Sequence, residues 1–457
     1  MPTTVERCGS ASDLLHRVVA EHLDDFLAQV QADGQRLPPW VEREFRRYQV
    51  CGDLNEGFAH LHCEDCDVHR IVPFSCKTRG FCPSCMGRRM AEKAAHWVDG
   101  VFAHVPIRQW TLTLPWRRRF LMARHHDLCR RALSLFLDTL NRWMRQSLDL
   151  PEGRGGSITV IQFFSSSLAT DPHYHALVLD GLFARVEQTG ELRFHPLLDV
   201  STEDVEQVVL QAAERIEKWL ARRGFGPDAE GQEELLDDAH ADLQARSLSP
   251  YSLRRYQVLG GRRVDLPPRC AICEGYNLHA GQSAEDRESI ERMARYVLRP
   301  PLARERLERR EDGMLVMRLK KPWADGSASF LFTPVEFLGR LSAIIPPPNI
   351  NTIIYSGVLA GRSAWRAEVV PPPPAREKPG FLHKEGIPEP KRRWWVCSWA
   401  ELLYRVFLSE GLECPRCGKK MRLRAIVMPP ATIRVRDGLN RAAARAPPDL
   451  AEAKATA

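Results

Sequence analysis

The fold prediction starts from the stretch DPHYHALVLDG, residues 171–181. Its apolar run, which ends in Asp-Gly, a dipeptide typical of turns, indicates a β-strand that closes in a turn. Successive side chains of a strand project to opposite faces, so His173 and His175 share one face while Tyr174 lies on the other. Two imidazoles placed in this way can hold one divalent ion and leave part of its coordination open, although a histidine pair on a strand can also serve only in packing.

Strands and helices predicted on both sides of this stretch indicate the fold class. Runs of β-branched and aromatic residues predict strands, and apolar residues at helical spacing predict helices. The further predicted strands are 108–114, 157–165, and the hairpin 182–186 with 191–194. The predicted helices are 11–31, 87–102, 202–223, 233–245 and 286–298. We therefore expect an α+β fold with a largely antiparallel sheet and flanking helices.

The 457 residues are enough for two to four domains, and composition suggests where they divide. Residues 1–103 contain a cluster of cysteines between helical flanks, and residues 104–368 combine strands with helices. Residues 369–432 begin as a proline-rich linker, Pro371 to Pro390, and end in a cysteine knuckle. Residues 433–457 are rich in Arg, Ala and Pro, which predicts a disordered tail.

Composition permits a nucleic-acid partner and argues against a membrane protein. The chain is 44% hydrophobic and 27% charged, as ordinary globular proteins are. Its net charge of +7 is modest, but arginines cluster, as at 117–119 and 304–310, where they form either a nucleic-acid surface or only a solvated face. No stretch reaches the ~18 consecutive apolar residues of a membrane span, and the N-terminus has no signal-peptide core. We therefore expect a soluble intracellular protein.

Eight of the 13 cysteines form four CxxC pairs, a pattern that in an intracellular chain indicates metal binding sooner than disulfides. Cys63-x2-Cys66 and Cys82-x2-Cys85 are separated by fifteen residues, the spacing of two knuckles around a tetrahedral zinc ion. Four thiolates leave no open position for chemistry. The sequence therefore predicts a structural zinc held by these four residues.

Other cysteines and histidines leave alternatives open. Four residues of the same stretch could build a second site or replace one ligand of the first: Cys51, Cys76, His60 and His62. Cys414-x2-Cys417 looks like half of another zinc ribbon and is a second zinc candidate, for which Cys270-x2-Cys273 is a candidate partner.

Tyr296 is a candidate nucleophile because of its surroundings. It lies near the end of a predicted helix that Pro300-Pro301 stops. Arg292, Arg295 and Arg299 lie within about one helical turn of it and could neutralise a phosphodiester and favour the phenolate. The alternative is a helix-terminal tyrosine packed on the core beside a solvated basic face.

Seven motifs in order give the chain a specific resemblance. They are FSCKTRGFCPSC (74–85), RQWTLTLP (108–115), DPHYHALVLDG (171–181), GYNLHA (275–280), RYVLRPPLA (295–303), KPWADGS (321–327) and CPRCGKKMRL (414–423). The series resembles that of the insertion sequence 91 family, bacterial rolling-circle transposases of the His-hydrophobic-His single-strand nuclease superfamily. The resemblance covers residues 40 to 425 and implies an N-terminal zinc-binding domain followed by an antiparallel-sheet nuclease domain.

One departure from the family pattern concerns the nucleophile. Members with two catalytic tyrosines place them four residues apart, but the position four before Tyr296 is Arg292. The chain therefore resembles the single-tyrosine branch, and the oligomeric state needed for strand transfer stays open.

The resemblance implies that Tyr296 attacks single-stranded DNA at element ends to form a 5′-phosphotyrosine, with Arg295 and Arg299 assisting. It also implies Mg²⁺ or Mn²⁺ on His173 and His175, and imidazoles favour the latter. The third ligand could come from Gln162, His195, Asp171 or a residue near Tyr296. Bases could stack on aromatic side chains, for which the candidates are Trp110, Trp116, Phe163, Phe164 and Trp323.

The expected function is rolling-circle transposition, with DNA as the partner, in the bacterial cytoplasm at the nucleoid. Two alternatives remain open at this point. A plasmid replication initiator or relaxase would use the same chemistry in another context. A zinc-ribbon DNA-binding regulator would need no catalysis, and therefore no combination of a histidine pair with Tyr296.

Overall fold

The structure is a computed structural model. It describes residues 4–5, 13–226, 239–248, 254–257, 266–323, 325–370, 413–433 and 435. The predicted linker Pro371 to Pro390, the first half of the predicted helix 233–245 and nearly all of the predicted tail 433–457 lie outside these residues.

Helices and strands are numbered here in chain order. The α-helices are α1 Leu14–Ala32, α2 Pro39–Gln49, α3 Pro83–Gly100, α4 Trp116–Arg124, α5 His126–Ser147, α6 Thr202–Ala221, α7 Ala239–Ser247, α8 Arg287–Val297, α9 Pro334–Ala343 and α10 Arg366–Val369. The strands are β1 Thr4–Val5, β2 Phe58–Cys63, β3 Val68–Pro73, β4 Ile107–Thr113, β5 Gly156–Phe164, β6 Thr170–Leu179, β7 Gly181–Arg185, β8 Leu192–Pro196, β9 Arg254–Gln257, β10 Cys270–Cys273, β11 Tyr276–Ala284, β12 Leu307–Arg309, β13 Leu315–Arg318, β14 Ser327–Phe332, β15 Ile353–Gly357 and β16 Arg422–Val427.

The chain divides into two compact units that are discontinuous in sequence. The first consists of the described parts of residues 1–21, 43–78 and 376–457, and the second of the described parts of residues 22–42 and 79–375. The predicted domains are consecutive stretches of the chain, whereas each unit is made of ranges that alternate in sequence with those of the other. Among the described helices, none is long and apolar enough to cross a bilayer.

A six-stranded antiparallel sheet is the centre of the second unit. Its order is β10-β11-β4-β6-β5-β15, so β6, which contains the histidine pair, is an inner strand between β4 and β5. All its pairings are antiparallel. The predicted α+β class with an antiparallel sheet is therefore confirmed.

Helices cover both faces of this sheet. The apolar sides of α5 and α6 pack on the face that contains Tyr174, Ala176 and Val178. Buried residues of α3 and α8 pack on the opposite face, with Leu177 and Leu179, which have the strand parity of the two histidines. Burial of an apolar stripe on each helix is what fixes them there. The sequence analysis did not predict α5, which is the long helix of the first of these two layers.

The first unit contains a smaller sheet of order β1-β3-β2-β16. Strands β2 and β3 form a hairpin, with Cys63 opposite Val68 at its turn. Strand β16, from the C-terminal part of the chain, pairs antiparallel with β2 and places Arg422 opposite His62. Residues more than 350 positions apart in sequence are therefore neighbours in one sheet.

Candidate active site and metal centres

The two predicted histidines lie side by side on β6. His173 and His175 are buried, 8% and 4% exposed, and their Nε2 atoms are 3.1 Å apart. Tyr174 points to the other face, where it is fully buried and its hydroxyl donates to the carbonyl of Cys129 at 2.7 Å. The strand alternation predicted from the sequence is present.

Hydrogen bonds orient both imidazoles. The carbonyl of Asp171 accepts a bond from His173 Nδ1 at 2.7 Å, which puts the proton on Nδ1 and leaves the Nε2 lone pair available. His175 Nδ1 lies 3.1 Å from Gln109 Nε2 and 3.2 Å from Thr111 Oγ1. Metal binding through Nε2 requires the tautomer in which Nδ1–H donates to the Thr111 hydroxyl.

Burial lowers the pKa of His175 well below its ordinary value, and the charges of His173 and Arg299 lower it further. Its imidazole is therefore neutral at neutral pH, which is the form that binds a metal ion. The Nε2 atoms have the right separation to share one ion: two donors at about 2.1 Å from an ion, at a right angle, are about 3.0 Å apart.

Gln162 offers a third donor on the same face. It lies on β5 directly opposite His173, and directly opposed residues of an antiparallel pair project to the same side. Its Nε2 donates to the carbonyl of Val297 at 2.6 Å, and its Oε1 is buried without a hydrogen-bond partner in the described structure. A buried amide oxygen ordinarily has a partner, and a bound cation would be one. Two imidazoles and an amide oxygen therefore fit a divalent ion.

Helix α8 brings Tyr296 to this group. The carboxylate of Asp286 caps its N-terminus by accepting from the backbone of Ser289, and the buried stripe of Ile290, Ala294 and Val297 packs it on the sheet. Tyr296 lies off that stripe and is 47% exposed. Its ring centroid is 6.0 Å from that of His175, in an edge-on arrangement.

The three arginines near Tyr296 in sequence have different surroundings. The guanidinium of Arg299 lies over the Tyr296 ring, 4.3 Å from its centroid. Arg295 forms an ion pair with Glu291 at 2.5 Å, and Arg292 forms one with Glu288 at 2.6 Å. Of the two arginines predicted to assist catalysis, Arg299 is thus the one stacked on the tyrosine.

The other candidate third ligands are placed less favourably. Arg119 Nε lies 3.1 Å from a carboxylate oxygen of Asp171, so this carboxylate already has a cationic partner. His195 lies on β8, which pairs only with β7 in a separate two-stranded sheet. Asp171 contacts the histidine pair through its backbone carbonyl.

The predicted stacking residues divide by exposure. Trp110 and Phe163 are buried in the core, which contradicts a stacking role for them. Phe164 and Trp323 are half-buried, and Trp323 packs edge-on against Phe330. Trp116, at the start of α4, is 61% exposed and is the most exposed of the five.

Sequence reasoning did not find Gln109 and Thr111. Both lie on β4, and Thr111 is directly opposite His175. The signal was present in the motif RQWTLTLP, where polar Gln109 and Thr111 alternate with apolar Trp110 and Leu112. Without the strand register, nothing in the sequence assigned that polar face to the histidines.

The structure groups the cysteines differently from the predicted set. Cys63 and Cys66 come together with Cys414 and Cys417, and all four sulfur atoms lie within 4.8 Å of one another. Cys63 Sγ and Cys417 Sγ are 3.6 Å apart. The expected pairing of Cys63 and Cys66 with the second N-terminal knuckle is therefore wrong, because the pairing of β16 with β2 supplies the other two thiols from the C-terminal knuckle.

Local turns prepare each knuckle of this cluster. Asp67 adopts a positive φ of 51° in the turn after Cys66, and Gly418 adopts 71° after Cys417. The Gly418 N–H donates to the carbonyl of Cys414 at 2.9 Å. A hydrogen bond to Cys417 is the main cause that raises the pKa of the Cys66 thiol to about 12, followed by burial. A metal cation would stabilise the ionised form of thiols crowded in this way.

The remaining predicted ligands lie elsewhere. Cys82 caps the N-terminus of α3 and Cys85 lies in its first turn; both are buried and belong to the second unit. Cys270 and Cys273 lie on β10 of the six-stranded sheet, so they are not the partners of the C-terminal knuckle. Cys270 Sγ instead lies 3.3 Å from the side-chain oxygen of Asn277.

The four residues left open by the sequence do not belong to the group of Cys63, Cys66, Cys414 and Cys417. The Cys76 N–H donates to Cys51 Sγ at 3.4 Å. His62 lies 2.8 Å from Asp67, and His60 lies 2.9 Å from His69. None of the four replaces a ligand in the group of Cys63. The alternative of a second site stays open, because Cys51 and Cys76 belong to another set of cysteines whose sulfur atoms lie within 4.8 Å of one another.

Two protein families match parts of the chain. A family described as "Transposase zinc-binding domain", that of insertion sequence 91, matches residues 18–114. A family described as "Putative transposase" matches residues 156–366, which include the histidine pair and Tyr296. No curated protein and no solved structure matches the chain. The zinc-binding match and the four-cysteine cluster together support a structural zinc. The chain belongs to the insertion sequence 91 family of transposases.

Proposed function

We propose that this transposase nicks and rejoins single-stranded DNA at element ends through a 5′-phosphotyrosine on Tyr296, as rolling-circle transposition requires. The observation that carries the proposal is the position of Tyr296, whose ring lies 6.0 Å from that of His175, beside the paired Nε2 atoms. A nucleophile and a group that can hold a phosphate-activating ion are thus adjacent.

We assign His173, His175 and Gln162 as the residues that would hold Mg²⁺ or Mn²⁺. The ion would polarise the scissile phosphate and offset the charge that develops there. Gln162 has a further task, because its bond to the carbonyl of Val297 ties the end of α8 to β5. Val297 directly follows Tyr296 in the chain, so one side chain supports both the donor set and the nucleophile.

Arg299 is the residue that supports Tyr296. Its guanidinium lies over the phenol ring, where it stabilises developing negative charge on the ring and meets the incoming phosphodiester. In the nicking step a bond forms between the Tyr296 oxygen and phosphorus, and the bond from phosphorus to the 3′ oxygen breaks. The phenol proton leaves to solvent and the 3′ oxygen takes up a proton. Rejoining reverses these changes when a 3′-hydroxyl attacks the phosphotyrosine.

A single tyrosine limits what one active site can do. Arg292, four residues before Tyr296, is exposed and paired with Glu288, so the second tyrosine position of other family members is occupied by a surface ion pair. One site can therefore hold one covalent strand at a time.

A second proposal concerns the zinc. Cys63, Cys66, Cys414 and Cys417 have the number, identity and proximity of ligands for a closed tetrahedral site. We propose that they hold the structural ion, which fixes β16 against β2 and so closes the first unit.

The test of the catalytic proposal uses a single-stranded oligonucleotide that spans an element end, with a bridging phosphorothioate that traps the covalent adduct. We expect Mn²⁺-dependent cleavage and an adduct that mass spectrometry maps to Tyr296. Tyr296→Phe should abolish both, while Tyr174→Phe, the matched loss of an oxygen on the opposite sheet face, should retain both.

Three outcomes would contradict parts of the proposal. An adduct on Tyr251, Tyr256 or Tyr276 would change the nucleophile but keep the chemistry. Metal-dependent cleavage without an adduct would make water the nucleophile. DNA binding with no cleavage under any metal would favour a zinc-ribbon regulator instead.

A further inference from the structure

The second unit has an arginine-rich cleft that the proposed chemistry does not use. It has a volume of about 800 Å³ and lies between α5 and β15. Its charged lining consists of Arg130, Arg131, Arg142, Arg145, Arg154, Asp127 and Asp138. Arginine therefore exceeds aspartate by three in this lining.

The arginines of α5 form a stripe along one side of the helix. The lining positions 127, 131, 134, 138, 142 and 145 recur at intervals of three and four, the period of an α-helix. From Arg131 to Arg145 the helix rises about 21 Å. A strand of duplex DNA advances 3.4 Å per nucleotide along the axis, so the stripe is as long as about six phosphates.

Carboxylates offset the charge of these guanidinium groups only in part. Arg130, Arg131, Arg142 and Arg154 are exposed, and none of them forms an ion pair with a described carboxylate. Burial is the main cause that lowers the pKa of Arg215 of α6; the nearby charges of Arg142 and Arg131 lower it further, and Asp138 opposes them. Like charges gathered in excess of their counterions are unfavourable unless an anion is bound.

The cleft lies on the sheet face opposite the histidine pair. Helix α5 packs on the face of Tyr174, and Ile354, which lines the cleft, packs against that same core. His173 and His175 project from the other face, where α8 and Tyr296 lie. DNA in the cleft would therefore be a different segment from the one at the active site.

We propose that the cleft between α5 and β15 binds the sugar-phosphate backbone of duplex DNA, without reading its sequence. Its lining contains no aromatic side chain on which unpaired bases could stack, so it lacks the usual means of holding a single strand. Unpaired arginines spaced along a helix suit a regular row of phosphates. The inference rests on the chain's being a transposase and not on the chemistry of Tyr296.

The experiment measures DNA affinity against salt concentration by fluorescence anisotropy, using the full-length zinc-loaded protein. The probes are a labelled duplex of about two helical turns and a single strand of the same length. The cleft variant is R130A/R131A/R142A. The control variant is R193A/R222A/R223A, which removes the same charge from exposed positions of the same unit outside the cleft.

We expect the cleft variant to lose duplex affinity. The slope of log affinity against log salt concentration should become less steep by close to 3, since each lost phosphate contact removes about 0.9 from it. The control variant should bind as the wild type does. Equal losses in both variants, or an unchanged slope in the cleft variant, would refute the proposal. A loss confined to the single-stranded probe would refute the assignment to duplex DNA.

Two additional measurements keep the result interpretable. R131K/R142K retains the charges and should retain the slope, so a loss there would show that folding, rather than charge, is responsible. Tyr296→Phe should end nicking while keeping the duplex slope. Failure of the cleft proposal and failure of the phosphotyrosine proposal are thereby separate results.

Discussion

Gln162 offers a sharp test of the active-site geometry because its two side-chain atoms are assigned different tasks. Its Nε2 donates to the carbonyl of Val297 at 2.6 Å, and its Oε1 faces no partner. Gln162→Met removes both groups at similar volume, and Gln162→Glu keeps an oxygen while removing the amide donor. The two substitutions therefore separate metal binding from the support of α8.

The magnitudes follow from these two contacts. Both substitutions leave a buried carbonyl without its donor, so both should lower the free energy of unfolding by about 1–3 kcal/mol. Gln162→Met should also weaken Mn²⁺ binding. Loss of a residue that only hydrogen-bonds to a metal ligand lowers affinity ~10-fold to 100-fold, and loss of a ligand should cost at least as much. Gln162→Glu should bind Mn²⁺ at least as well as the wild type, because a carboxylate is a stronger ligand for a hard cation.

Calorimetric titration with Mn²⁺ and urea denaturation measure the two effects independently. If Gln162→Met bound Mn²⁺ with wild-type affinity, Gln162 would not be a ligand. If neither variant were less stable, the bond to Val297 would not hold the helix end, and the dual role would be refuted.

Three further predictions concern the zinc, the core and pH. Cys417→Ser should reduce zinc by one ion per chain in metal analysis under reducing conditions, and unchanged zinc would exclude the four-cysteine ligand set. Asp180→Asn should lower the free energy of unfolding by about 3–5 kcal/mol in urea denaturation, because Arg108 and Asp180 are a buried pair joined by two 2.8 Å bonds; a smaller loss would mean that water reaches the pair. Burial lowers the pKa of His126 to about 4, so below the ordinary value of ~6.5 the unfolded chain binds more protons and stability falls as the pH drops towards 4. His126→Gln should flatten this pH dependence in the same assay, and an unaltered slope would place its cause elsewhere.

The sequence alone determined what depends on neighbouring residues. Strand alternation put His173 and His175 on one face, and the pattern of apolar residues located helices such as α6 and α8 to within a few residues. The knuckles Cys63-x2-Cys66 and Cys414-x2-Cys417 were also local: each is closed by a positive-φ residue, Asp67 or Gly418, and brings its two thiols together. These features depend on periodicity and turn geometry, which a short window contains.

Tertiary structure alone decided which of these local pieces meet. The knuckle at Cys63 takes its partner from Cys414 because β16 pairs with β2, a contact that no spacing rule could select among the CxxC pairs. The role of Gln162 depends on its register opposite His173 and on where α8 ends. The arginines of α5 line a cleft because β15 lies beside that helix. In each case the deciding interaction joins residues far apart in sequence, and its geometry is set by packing of the whole sheet rather than by the residues themselves.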